Sequence, residues 1–150
     1  MGDNDYNMFV DAMNFMYASH HGQTDKLDEP YWKHPMAVAA VFVQLRDYYH
    51  ATVALLHDVV EDTVMTLDAL SQQFPASVVG AVDALTRREG ETYKEYVRRC
   101  AENGDAAKVK WADLQDNLGV AYDTRIQLND SMVERYYWAL GYLASKYGWR

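Results

Sequence analysis

Four groups able to handle a metal or a proton crowd into one stretch, LLHDVVEDT at residues 55–63. His57 and Asp58 are adjacent, and Glu61 and Asp62 follow about a turn later. An imidazole nitrogen beside a carboxylate oxygen provides two ligands for one divalent cation. Two further carboxylates so close could take up and pass on protons. An amphipathic helix that is merely ending has no packing use for four such groups. The stretch therefore points to metal-assisted hydrolysis.

A metal centre needs more than two ligands, and His34 and Asp113 are the sharpest further candidates. His34 stands where a polar loop meets an apolar helix. Asp113 interrupts KVKWADLQDNLGVAY, a helix otherwise rich in Val109, Trp111, Ala112, Leu114 and Leu118. Together the four make a mixed nitrogen and oxygen set drawn from three helices, suited to Mn²⁺, Fe²⁺ or another borderline cation with positions left for water and substrate. Taken singly, each has a plain alternative: His34 as a hydrogen-bonded helix-start histidine, Asp113 as a salt-bridged carboxylate, Glu61 and Asp62 as surface acids. A closed, cysteine-rich zinc site is excluded, because Cys100 is the only cysteine; it reads as a small hydrophobe on a helix.

The elements that must position these groups are helices. Apolar residues recur at helical spacing and strand-like alternation is scarce, so an all-α bundle of about seven or eight helices is expected. Helices are expected over 5–20, 33–46, 48–60, 67–74, 76–87, 92–102, 105–121 and 131–146. Residues 21–32 read as a loop, Pro35 suits a first helical turn, and Thr66 is a plausible N-cap. One domain spanning 1–150 is expected, without repeat or low-complexity tract. Asn117, four residues after Asp113, shares its helical face.

Composition narrows the partners. Hydrophobic residues make up 49% and charged residues 24%, ordinary globular proportions. A net charge of −8 argues against broad binding to nucleic acid or an anionic membrane. It leaves room for a small anionic substrate, since a metal inverts the local field. The start MGDNDYNMF lacks the pattern of a signal peptide and no apolar run approaches a membrane span, so a soluble cytoplasmic protein is expected. With 4 Trp and 12 Tyr, the composition leaves room for an aromatic patch through which copies associate as a homo-oligomer.

The order His34, His57-Asp58, Asp113 resembles the HD phosphohydrolase superfamily, and in particular the hydrolase domain of the Rel/SpoT enzymes and the small metazoan SpoT homologues. The likeness rests on HGQ (21–23), EPYWKHP (29–35), LLHDVVEDT (55–63) and VKWADLQDN (109–117), within roughly residues 17–120. It implies an HD-domain helical bundle that uses Mn²⁺, or another divalent metal, to remove the 3′-diphosphate of (p)ppGpp. It also implies His34, His57, Asp58 and Asp113 as metal ligands, with Glu61 and Asp62 as the acidic pair that positions and deprotonates the attacking water. Asn117 matches an asparagine that contacts the nucleotide, and Lys26 matches the lysine of an Arg-Lys pair in the substrate loop. Lys110, with Lys108, could neutralise phosphates, and Tyr136 lies in a late helix from which a tyrosine reaches the substrate. His20, His21 and His50 fall outside the ligand set.

Three departures bear on the substrate. Asp25 stands where the related hydrolases carry the arginine that stacks on guanine, Asp28 where they carry a loop glycine, and Leu114-Gln115-Asp116-Asn117 where they read Arg-Leu-His-Asn. The metal and water-activating parts match better than the base-reading parts. The resemblance thus leaves two alternatives beside a (p)ppGpp pyrophosphohydrolase: an HD-type phosphatase acting on NADPH or (deoxy)nucleotides, and a nucleotide sensor without turnover.

Overall fold

The structure, a computed structural model, describes residues 3–121 and 129–150. Its elements are α1 (Asp3–Ser19), α2 (Lys33–Gln44), α3 (Tyr48–Leu56), α4 (Val59–Asp62), α5 (Leu67–Ser71), α6 (Ala76–Leu85), α7 (Tyr93–Ala101), α8 (Gly104–Ala121) and α9 (Asp130–Tyr147). The expected all-α architecture holds: the only β pairing among the described residues is an isolated bridge between Thr24 and Pro30. No described helix is long and apolar enough to cross a membrane.

Helix α3 is the centre of the bundle. Asp47 caps it by accepting from the His50 amide at 3.1 Å, and every residue from His50 to Leu56 is buried. It packs on α1, α2, α6 and α8. Helix α2 opens with Pro35 in its first turn. It closes on Arg46 in left-handed geometry (φ 56°), where the Arg46 and Asp47 amides return to the Val43 and Phe42 carbonyls. Thr66 caps α5 through the Ala69 amide, and Thr92 and Glu95 form a reciprocal capping box on α7. Cys100 is fully buried, and burial pushes its thiol up to about 12.

One expected boundary moves, and the site depends on it. The helix read as 48–60 breaks at His57-Asp58. His57 Nδ1 donates to the Ala54 carbonyl at 2.5 Å, competing for the acceptor that a continuing helix would offer to Asp58. The backbone at Asp58 relaxes to φ −102°, ψ −2° before α4 begins. Both side chains of the doublet are thereby redirected towards α2 and α8.

Candidate active site

Three elements bring the four candidate ligands together. His34 comes from the first turn of α2, His57 and Asp58 from the break between α3 and α4, and Asp113 from the middle of α8. His34 Nε2 lies 2.9 Å from Asp113 Oδ1 and 3.6 Å from Asp58 Oδ2. His57 Nε2 lies 3.1 Å from Asp58 Oδ2 and 3.4 Å from Asp113 Oδ1. Ligands about 2.1 Å from one ion and separated by 90–109° stand roughly 3.0–3.4 Å apart. His34, His57 and Asp113 therefore form one group at the spacing of a coordination sphere, with Asp58 Oδ2 at its edge, 3.1 and 3.6 Å from the imidazoles of His57 and His34 and also grouped with Glu61 and Asp62.

The tautomers suit that reading. With Nδ1 committed to the Ala54 carbonyl, His57 turns Nε2 to the cluster, and this buried atom has no hydrogen-bond partner among the described residues. His34 is oriented in the same way: its Nδ1 lies 2.7 Å from Asp116 Oδ2, leaving Nε2 to the cluster. A carboxylate behind an imidazole is the usual outer support of a metal-binding histidine. The donor set thus fits a divalent cation of the kind HD phosphohydrolases use.

Electrostatics agree. Burial alone would lower the pKa of His34, but hydrogen bonds to Asp113 and Asp116 hold it at about 9. For His57, burial is likewise outweighed, by the Asp58 charge first, and its pKa is raised. Burial would raise Asp58, yet His57 draws it down to about 2. Asp113 is held well below the usual carboxylate range by Lys110 and the two imidazoles, against its burial. Carboxylates that draw protons so strongly onto neighbouring imidazoles would draw a divalent cation in their place.

Glu61 and Asp62 stand beside this cluster, each offering an oxygen within 4.8 Å of the other and of Asp58. Both are raised in pKa, by burial first and then by neighbouring carboxylates. Glu61 Oε1 accepts the Arg87 amide at 2.8 Å. Tyr31 donates its hydroxyl to Asp58 Oδ2 at 2.7 Å and lies 3.1 Å from Asp62 Oδ2, tying the two halves of the doublet stretch together.

Tyr31, His34, Asp58, Glu61, Asp62, Arg87 and Asp113 line one cavity of about 1000 Å³, together with Lys26, Lys110, Asn117 and Tyr136; His57 is buried and is not part of the lining. Lys110 is buried, with Nζ 2.9 Å from Asp113 Oδ2, and Asn117 Nδ2 donates to Asp113 Oδ1 at 3.2 Å. Lys110, Asp113, Asp116 and Asn117 thus form one polar face of α8. Lys26 is exposed on the loop, and Tyr136 is half-buried on α9. Lys108 is exposed and does not line the cavity. Arg135 sits over the Tyr93 ring at 5.3 Å and lines a neighbouring groove. His50 is bound between Asp47 and Asp105, and His20 Nδ1 lies 2.7 Å from Gln23 Oε1.

The two loop departures have structural roles. Asp25 Oδ1 accepts from the Leu27 and Glu29 amides at 2.8 and 3.0 Å and so organises the loop. Asp28 occupies left-handed backbone (φ 60°), a conformation that favours glycine and that Asp tolerates better than most residues.

Tyr31, Arg87, Tyr93 and Asp116 are among the cavity residues to which sequence reasoning assigned no role. Tyr31 could have been found in EPYWKHP, three residues before His34. Asp116 shares a helical face with Asp113. Arg87 and Tyr93, whose buried hydroxyl has no hydrogen-bond partner among the described residues, carry no sequence signal.

The family model described as HD domain matches residues 12–128. The guanosine-3′,5′-bis(diphosphate) 3′-pyrophosphohydrolase of Haemophilus influenzae is 35% identical over 112 residues, covering 67% of this chain and 16% of that protein. The bifunctional (p)ppGpp synthase/hydrolase SpoT of Escherichia coli is 37% identical over 86 residues, 57% of this chain and 12% of that one. The chain thus spans less than a fifth of the length of these relatives. A solved structure, described as a metazoan ortholog of SpoT that hydrolyzes ppGpp and plays a role in starvation responses, superposes with a TM-score of 0.71. It covers 95% of this chain and 97% of its own, at 24% identity.

Proposed function

This chain belongs to the HD-domain family, and we propose on that premise that it is a metal-dependent phosphohydrolase of a small phosphorylated nucleotide. The first candidate reaction is the release of a 3′-diphosphate from a (p)ppGpp-like substrate in the cytoplasm. The observation that carries the reading is the convergence of His34, Asp58 and Asp113 with the buried His57 at ligand spacing, beside Glu61 and Asp62 at a cavity. The names of the Haemophilus and Escherichia relatives support the substrate class.

In this reading His34, His57, Asp58 and Asp113 hold the cation, Mn²⁺ in the first instance. Bound there, it would lower the pKa of a water molecule and polarise a phosphate oxygen. Glu61 and Asp62 orient that water and take its proton, a task suited to carboxylates whose affinity for protons is raised by burial. The water oxygen forms a bond to phosphorus, the bond from phosphorus to the ribose 3′ oxygen breaks, and that oxygen receives a proton as the diphosphate leaves. Tyr31 keeps Asp58 and Asp62 in register. Lys110 balances the charge of Asp113, while Asn117, Lys26 and Tyr136 flank the nucleotide.

A second reading keeps the chemistry and changes the substrate to NADPH or a (deoxy)nucleotide. It is favoured by Asp25, which places an acid where the related hydrolases use arginine. The test is release of phosphate and diphosphate from a panel of ppGpp, NADPH and dNTPs, with Mn²⁺ and with chelator. Metal-dependent diphosphate release from ppGpp supports the first reading, and release confined to NADPH or dNTPs supports the second. Nucleotide binding with no release from any member would make the protein a sensor.

A further inference from the structure

The cavity is lined by seven carboxylates against four lysine and arginine side chains. Two of those four cations are already committed. Lys33 pairs with Glu29, and Lys110 with Asp113. Lys26 lies on the loop, and Arg87 lies beside Glu61. Arg87 Nε donates to the Glu91 carbonyl at 3.0 Å. Among the described residues no carboxylate pairs with its guanidinium, and its two terminal nitrogens carry no hydrogen bond.

The position of Arg87 is rigidly built. Gly90 turns the chain in left-handed geometry (φ 77°), and the Glu91 amide returns to the Arg88 carbonyl at 3.2 Å. Glu91 then receives both Nε and Nη2 of Arg99, at 2.7 and 2.9 Å. The same guanidinium reaches the Thr86 carbonyl at 2.8 Å and the Asp83 carbonyl at 3.3 Å. One side chain thus ties together the segment on either side of Arg87. The peptide nitrogen of Arg87 is itself fixed 2.8 Å from Glu61 Oε1. The backbone of Arg87 is therefore tethered to the proton-handling end of the cavity, and among the described residues both terminal guanidinium nitrogens remain without a hydrogen bond. Parallel N–H donors match two oxygens of a phosphate, a geometry that an ammonium cannot offer.

We infer that Arg87 is a substrate-binding residue that grips the phosphate or diphosphate being released, with Arg99 and Glu91 as the residues that position it. This inference rests on the hydrolase reading for the place of the phosphate, but its test is one of binding. The Mn²⁺-loaded protein is titrated with inorganic pyrophosphate by calorimetry, with bound manganese measured in parallel. Arg87→Ala leaves the peptide N–H on Glu61 intact, so it isolates the side chain.

The expected result is that the parent binds pyrophosphate and Arg87→Ala weakens binding at least about tenfold with manganese unchanged; one lost charge-assisted contact gives an effect of that order. Arg87→Lys, which keeps the charge and loses the fork, should fall between them. On whichever nucleotide the parent hydrolyses, Arg87→Ala should lose on the order of 10²-fold in kcat/KM. Equal pyrophosphate affinity in parent and Arg87→Ala overturns the inference, as does a parent that binds no pyrophosphate. Arg87-dependent binding without turnover of any nucleotide would uphold it and sink the hydrolase reading. Turnover together with binding indifferent to Arg87 would do the reverse.

Discussion

Asp116 lies 2.7 Å behind His34, on the ring nitrogen that faces away from the cluster. The contact crosses from α8 to α2, so the helix that supplies Asp113 also orients a candidate ligand on its neighbour. Substitution of Asp116 by Ala should weaken manganese binding about 10–100-fold. Titration of Mn²⁺ followed by electron paramagnetic resonance measures this, and saturating metal should restore most of the turnover. A loss of turnover that added metal cannot relieve would assign Asp116 a different task.

Asp58 and Glu61 should separate by metal content. Asp58→Ala is expected to lose manganese and turnover together, because its Oδ2 is one of the converging donors. Glu61→Gln keeps an acceptor for the Arg87 amide and should retain the metal while turnover drops about 10²–10⁴-fold. Metal analysis beside steady-state rates makes the comparison. Loss of manganese in both variants would move Glu61 into the ligand set.

Asp25 is a loop organiser, so its charge and its hydrogen bonds must be tested apart. Asp25→Asn keeps an oxygen for the Leu27 and Glu29 amides and removes a negative charge. KM for an anionic nucleotide should fall about fivefold, the effect of roughly 1 kcal/mol of relieved repulsion. Asp25→Arg removes both acceptors and should raise KM for every substrate alike. A selective gain on ppGpp by the arginine variant would instead show that base stacking outweighs loop order.

Glu91 contributes to the pH dependence of stability away from the cavity. The Arg99 hydrogen bonds hold its carboxyl at about 2, below its ordinary value of 4.5. With the folded pKa below the unfolded one, the pair stabilises the protein above about pH 4.5, and the contribution is lost as the pH falls from there towards 2. Glu91→Gln should therefore melt a few degrees lower than the parent at pH 7, with the gap closing over that acidic window. Thermal melts across pH 2–7 decide it; a gap of constant size would mean that the charge on Glu91 is not what Arg99 holds.

The helices were legible because burial imposes a 3.6-residue period, and the candidate metal donors stood out because His34, His57, Asp58 and Asp113 are costly residues among apolar neighbours. Other features arise only when distant segments meet. Tyr31 reaches Asp58 across 27 positions, Arg87 reaches Glu61 across 26, and Asp116 reaches His34 across 82. No local pattern encodes those pairings. The break at His57-Asp58 escaped for a related reason: periodicity continues through it, whereas the competing contact is made by a side chain with the Ala54 carbonyl. Lys110 was legible as a cation near Asp113, but its burial follows from packing against α7.

Helix α8 carries Lys110, Asp113, Asp116 and Asn117 on one polar face, while Val109 and Leu114 are buried in the core. Each residue turns an α-helix by about 100°. Inserting or deleting one residue between the start of α8 and Lys110 would swing all four polar groups off the cavity together and bring aliphatic ones round. Point changes can trim this site one function at a time. A change of length in that stretch would remove its phase, and with it the Asp113 carboxylate, its Lys110 counter-charge and the support that Asp116 gives His34 in a single event.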